Sequence, residues 1–181
     1  PVPPASGLSD RFCRDKLIAI GISTGGPPAL SQIFRTLAPA MPPIVIVQHM
    51  PAGFTRSFAE RLDRLSKIAV KEAATGDRLL PNTAFVAPGG RHVRIVGNEP
   101  SQASLEVCDG PPVSSHRPSV DVMMRSAAEV YGSRVLGVIM TGMGRDGVEG
   151  CRCIREHGGT AIGQDEATTD VYGMNLSLIH I

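Results

Sequence analysis

The sequence predicts an α/β domain: a doubly wound, mainly parallel sheet with helices on both faces and a small antiparallel hairpin element at one edge. Three observations carry this prediction. Short, continuous apolar runs at Leu17–Ile22, Ile44–Gln48 and 135–140 read as strands covered on both faces. Segments with helical spacing of apolar residues separate them, and this alternation is how parallel sheets with right-handed crossovers are built. Finally, 181 residues of which 42% are hydrophobic suffice for one core without disulfide or metal staples.

Taken in order, residues 1–15 form a linker-like lead-in, with 1–9 rich in Pro, Ser and Gly, and one domain follows over 16–181. The first strand runs into Ser23-Thr24-Gly25-Gly26-Pro27, where the glycines turn the chain and Pro27 starts a helix without losing a needed N–H. Leu30, Ile33, Phe34 and Leu37 mark that helix's buried face, which ends near Pro39. Pro42-Pro43 resets the chain into the second strand, and His49 follows its last residue. After a loop at 50–53, Thr55 is the expected N-cap of a helix burying Phe58, Leu62 and Leu65. A third strand is expected at 68–73, and hairpin-like segments at 83–87, His92–Val96 and Ser104–Cys108. Ser119 caps a helix through Tyr131 with Val120, Met123, Met124 and Ala127 inward, and Gly132 ends it. The strand at 135–140, a Gly-rich loop at 141–147, a helix ending at Gly158 and a last strand at Thr160–Gly163 complete the pattern.

Composition excludes several classes. A formal net charge of +1 leaves no basic excess for nucleic acid or an anionic membrane surface. No apolar run reaches membrane-spanning length and the N-terminus lacks a signal pattern, so a soluble, cytoplasmic protein with no membrane insertion is expected. Cys13, Cys108, Cys151 and Cys153 have neither zinc nor redox spacing, and reduced, incidental thiols are expected, with no metal and no disulfide.

Parallel sheets place their sites outside the carboxyl ends of the strands. Ser23 follows the first strand, His49 the second, and Asp146 lies in the loop after the strand ending at Met140. Gly21-Ile22-Ser23-Thr24-Gly25 fits the G-x-S-x-G elbow, which exposes a serine hydroxyl at a helix N-terminus. The three residue types supply a nucleophile, a base and a carboxylate that orients the base. Thr24 or Gly25 and Met143 are the best-placed backbone donors for an oxyanion. The bland readings are an ordinary βα turn or a phosphate-cradling loop at Ser23, and at Asp146 a cap of the helix that follows it. Against a nucleotide loop, Ser23 stands where G-x-G-x-x-G has its middle glycine, and no P-loop lysine follows. His116 is the rival base, whereas His92, His157 and His180 have adequate structural readings. The order Ser, His, Asp differs from the Ser, Asp/Glu, His order of α/β-hydrolases.

Six stretches, Gly21-Ile22-Ser23-Thr24-Gly25-Gly26-Pro27, Gln48-His49-Met50-Pro51-Ala52-Gly53-Phe54-Thr55, Ala87-Pro88-Gly89, Asp109-Gly110-Pro111-Pro112, His116-Arg117-Pro118-Ser119-Val120-Asp121 and Thr141-Gly142-Met143-Gly144-Arg145-Asp146-Gly147, resemble the catalytic domain of the chemotaxis protein-glutamate methylesterases, the CheB family, over about residues 16–174. The resemblance implies hydrolysis of glutamate γ-methyl esters on chemoreceptor cytoplasmic domains and deamidation of receptor glutamines. It assigns Ser23 as nucleophile, His49 as base and Asp146 as orienting acid, with Thr24 and Met143 lining the site. It implies no cofactor, and chemotaxis receptors as partners. Family members usually carry an N-terminal receiver domain that covers the site until phosphorylated; only the lead-in stands there, which implies a chain without that control. After about residue 174 the sequence does not resemble the family's continuation, and a truncated or foreign end is expected. The competing reading is an inactive fragment or non-catalytic interaction domain of the same fold.

Overall fold

A computed structural model describes residues 13–178. Its main sheet comprises β1 (Leu17–Ile22), β2 (Ile44–Gln48), β3 (Ala69–Glu72), β4 (Thr83–Val86), β7 (Val135–Ile139) and β8 (Thr160–Gly163), in the order β3-β4-β2-β1-β7-β8 with every pairing parallel. Alternate residues of β1 feed two cores. On one face, Ile20 and Ile22 pack with Leu30 and Phe34 of α1 (Gly26–Thr36) and with Phe58 and Leu62 of α2 (Thr55–Leu65). On the other, Leu17 and Ala19 pack with Met123, Met124 and Ala127 of α3 (Val120–Tyr131) and Cys151 and Ile154 of α4 (Val148–Glu156). Fully buried Leu30 and Phe34 each contribute about 1.5–3 kcal/mol through the water they shed. Because the chain winds outward from β1 through β2 in one direction and from β7 through β8 in the other, the switch point lies between β1 and β7.

Two expected details differ. The segment at 83–87 joins the parallel sheet as β4 between β3 and β2, because Ala84, Phe85 and Val86 are covered on both faces. The antiparallel element is the pair β5 (His92–Val96) and β6 (Ser104–Cys108), a separate two-stranded sheet held to α3 in part by the Ile95 N–H donating to Ser126 Oγ at 2.9 Å. Thr55 does not cap α2; Phe54 stands at that position without a side-chain cap. Buried against β3, the Thr55 hydroxyl donates to Glu72 at 2.6 Å and accepts from the Gly89 N–H at 3.1 Å, so tertiary partners take the oxygen that capping would have used. Ser119 does cap α3, accepting from the Val122 N–H, and Gly132 ends it at φ 55°.

Of the lead-in, residues 1–12 lie outside the described residues, and Cys13 is buried with its thiol donating to the Ala40 carbonyl. The four cysteines are free thiols; burial pushes Cys151 up to about 12, which keeps it protonated and unreactive. A short helix α5 (Gly173–Leu176) folds back against the β7 loop, burying Met174 and Asn175. No helix among the described residues is long and apolar enough to cross a membrane.

Candidate active site

Strand register brings the site together. Ile22 pairs with Gln48, and Gly21 with Ile139, so the next residues of β1, β2 and the β7 loop leave the sheet side by side. The ladder continues one step further: the His49 N–H donates to the Ile22 carbonyl at 3.0 Å and the Ser23 N–H to the Thr141 carbonyl at 2.9 Å. Gly142 then passes so close that a Cβ on it would stand 2.7 Å from the Ser23 Cβ, and only glycine leaves that room. Gly25, at φ 80°, turns the chain into α1 directly after the serine. Nothing on a side chain caps α1, and Pro27 and Pro28 have no N–H to satisfy. The N–H groups of Thr24, Gly25 and Met143 donate to nothing among the described residues.

Asp146 is the most heavily bonded group at this edge. Only 2% exposed, it accepts from the Ser119 hydroxyl at 2.8 Å, from the first-turn N–H groups of α3 at Val120 (2.8 Å) and Asp121 (3.0 Å), and from His49 Nε2 at 2.8 Å. Burial opposes its charge, but the His49, Asp121, Val120 and Ser119 hydrogen bonds outweigh it and hold the carboxyl below its ordinary value. A charged Asp146 is acceptor only, so His49 carries its proton on Nε2. Its Nδ1, the remaining lone pair, is buried and unpartnered, and the Ser23 hydroxyl likewise makes no hydrogen bond among the described residues. Bonds of this type commonly close only when substrate is bound.

Asp121 mirrors Asp146. It accepts from the Gly147 and Gly150 N–H groups at the start of α4, at 2.9 and 2.8 Å, so Asp121, in the first turn of α3, holds the start of α4 while Asp146, just before α4, holds the start of α3. Burial raises its carboxyl, and the nearby charge of Asp146 adds to this. The rival base His116 enters the site in another role. It is anchored by Nδ1–H to the Ser114 carbonyl at 2.6 Å, and its ring stacks on His49 at 3.7 Å with the planes 9° apart. His49, His116 and Asp146 bring potential ligand atoms within 4.8 Å of one another. Imidazole binds a metal along its in-plane lone pair, and two parallel stacked rings do not aim those lone pairs at one point, so the stacking holds the two rings against each other without converging them on an ion.

The other histidines are structural. His92 accepts the Ser119 N–H on Nδ1 and donates to the Pro111 carbonyl from Nε2, and His157 bonds the Cys153 carbonyl near the end of α4. His180 lies outside the described residues. Sequence reasoning credited Ser119 with capping alone, and it passed over Asp121 and Gln48. For Gln48 the available signal was a polar side chain closing an otherwise apolar strand. The site is open: Met143 and Phe54, on the loops flanking Ser23, are 70% and 61% exposed. A neighbouring cavity of about 450 Å³, lined by Gly25, Pro28, Thr141, Gln164 and Asp170 among others, includes none of Ser23, His49 and Asp146.

Fold and site together define a class: a parallel α/β domain whose central strands present a serine, a histidine and an aspartate at their carboxyl edge. The family model of the CheB methylesterase matches residues 18–181, and the chain belongs to that family. It is 49% identical over 173 residues to the Xanthomonas oryzae protein named protein-glutamate methylesterase/protein-glutamine glutaminase 1, covering 96% of this chain and 49% of that one. It is 53% identical over 162 residues to the like-named Syntrophotalea carbinolica protein, covering 88% and 45%. The chain thus spans about half the length of the curated relatives it matches. The Thermotoga maritima CheB methylesterase catalytic domain superposes with a TM-score of 0.86 at 40% identity, covering 91% of this chain and 87% of that domain.

Proposed function

We propose that this domain is a serine hydrolase that removes methyl groups from glutamate γ-methyl esters of chemoreceptor cytoplasmic domains, and deamidates specific receptor glutamines, in chemotaxis adaptation in the cytoplasm. The observation that carries this reading is the 2.8 Å His49–Asp146 bond, which leaves a buried, unpartnered Nδ1 at the edge where Ser23 emerges. The names of the relatives supply the chemistry. Ser23 Oγ attacks the ester carbonyl while His49 Nδ1 takes its proton, and Asp146 stabilises the imidazolium through Nε2–H. The open N–H groups of Thr24 or Gly25 and Met143 hold the tetrahedral oxyanion. Collapse expels methanol, which leaves with the proton from His49, and a glutamyl ester remains on Ser23. Water, deprotonated by the same Nδ1, then releases glutamate and restores the serine. A glutamine side chain follows the same path with ammonia leaving. The open rim suits a side chain presented on a helical protein surface. In family members with a receiver domain, that domain is the further partner.

The test is methanol release from methylated receptor membranes. Ser23→Ala should lower turnover by on the order of 10⁶ with circular dichroism unchanged. Near-native release by that variant refutes the assignment, and a folded chain with no release favours the non-catalytic reading.

A further inference from the structure

Gln48 is the last residue of β2 and 2% exposed, a polar side chain where the strand is otherwise Ile and Val. Its Nε2 donates to the main-chain carbonyl of Ser23 at 3.0 Å and to that of His49 at 3.1 Å. Both N–H bonds of the carboxamide are thereby used. The amide cannot be turned over, because Oε1 would then face two carbonyl oxygens. Oε1 has no partner and lies against α1's first residue, where a Cβ built on Gly26 would come within 1.9 Å of it. The Gly26 N–H itself donates to the Ser23 carbonyl at 2.9 Å, so the serine carbonyl is held from two sides. The sheet ladder sets the His49 amide through Ile22, but beyond that point only the Gln48 bridge joins the Ser23 and His49 main chains among the described hydrogen bonds.

We infer that Gln48 is a positioning residue of this site: one buried carboxamide, bonded to the carbonyls of Ser23 and His49, fixes the spacing between nucleophile and base. This rests on the proposed roles of those two residues. Gly26 belongs to the same device, since any side chain there displaces the carboxamide. The alternative is that Gln48 only satisfies two buried carbonyls, in which case losing it lowers stability and leaves the chemistry of each folded molecule unchanged.

The two are separated by the rate at which a fluorophosphonate labels Ser23, a readout that needs no receptor, measured beside kcat and KM for methanol release on chains shown to be folded. Gln48→Met, of similar volume and without donors, should slow labelling and kcat by on the order of 10², the cost of misplacing reacting groups by about an ångström. Its KM should stay within about twofold. In Gln48→Glu a carboxylate faces the two carbonyls, and only its protonated form donates. Its rate relative to the unchanged chain should therefore rise from about pH 8 to about pH 6, where the histidine base that both chains share cancels and alone gives a flat ratio. Gly26→Ala should slow labelling in the same sense, and most of its effect should be lost in a Gln48→Ala background, where only the 3.0 Å approach of the new methyl to Ile22 Cγ1 remains. Labelling of Gln48→Met at the unchanged rate overturns the inference, as does an additive Gly26→Ala; if the Gln48 variants do not fold, Gly26→Ala alone decides the matter, since labelling of its folded chain at the unchanged rate also overturns the inference. If the folded, unchanged chain is not labelled at Ser23 at all, the underlying assignment of nucleophile and base fails first, and this inference with it.

Discussion

Two helices, α1 and α3, begin at the same edge of the sheet, and their N-termini are treated in opposite ways. The end of α3 is filled: Ser119 caps it, and the Asp146 carboxylate occupies its first-turn N–H groups at Val120 and Asp121. The end of α1 is kept open: no side chain caps it, prolines follow, and the N–H groups of Thr24 and Gly25 beside it have no partner among the described residues. A helix N-terminus favours negative charge wherever the charge comes from. At α3 that charge is the protein's own, and it stabilises the carboxylate that orients His49. On the mechanism proposed above, the place at α1 is left for charge that exists only during reaction, which is what makes an oxyanion site useful. On that mechanism, the same backbone feature serves stability when filled and catalysis when empty.

Changing the filled end tests this contrast. Asp146→Asn offers an NH₂ to His49 Nε2, which moves the imidazole proton to Nδ1 and removes the base; the same NH₂ then faces the Val120 N–H, so the asparagine oxygen keeps only the Ser119 and Asp121 donors. Methanol release should fall by on the order of 10⁴, and the thermal unfolding midpoint should fall as well, because the Val120 N–H loses its acceptor. Ser119→Ala removes the cap and one of the donors to Asp146. It should cost about 1 kcal/mol in denaturant unfolding. Asp146, whose carboxyl is held low, contributes stability that is present above its ordinary value and lost as pH falls through the lowered one. Without the Ser119 bond that lowered value moves up, so acid unfolding followed by circular dichroism should begin at higher pH. Asp121→Asn should have the smallest effect. Its raised carboxyl has the opposite sign: its contribution favours the fold at low pH and is lost as pH rises through the raised value. The asparagine oxygen still accepts from Gly147 and Gly150. Tm near neutral pH should therefore equal or exceed that of the unchanged chain, the difference should shrink on acidification, and kcat should hold.

What was legible in the sequence follows the same division. Ser23 and His49 could be placed because strand ends and a Gly-rich turn are local patterns, and parallel register then carries them to one edge without further information. Asp146 could be placed at that edge as well. Its partners could not, because Ser119, Val120 and Asp121 lie some 25 residues earlier and meet it only when α3 packs beside α4. Asp146 does not cap the helix that follows it, whose Gly147 and Gly150 N–H groups go to Asp121; it caps the earlier helix α3 and bonds His49 at once. The segment at 83–87 read as a hairpin arm because Pro88-Gly89-Gly90 and a second apolar run follow it; in the fold that turn carries the chain to another layer instead of reversing it within one sheet. Thr55 had the sequence of a cap but is buried against β3, and its hydroxyl is bonded there.

The most direct test of the open-end account is a crystal structure of the Ser23 adduct formed with a fluorophosphonate. The account predicts a phosphoryl oxygen about 2.7–3.1 Å from the Met143 N–H and from that of Thr24 or Gly25, with His49 Nε2 still bonded to Asp146. A phosphoryl oxygen turned to solvent with those N–H groups still empty would contradict it.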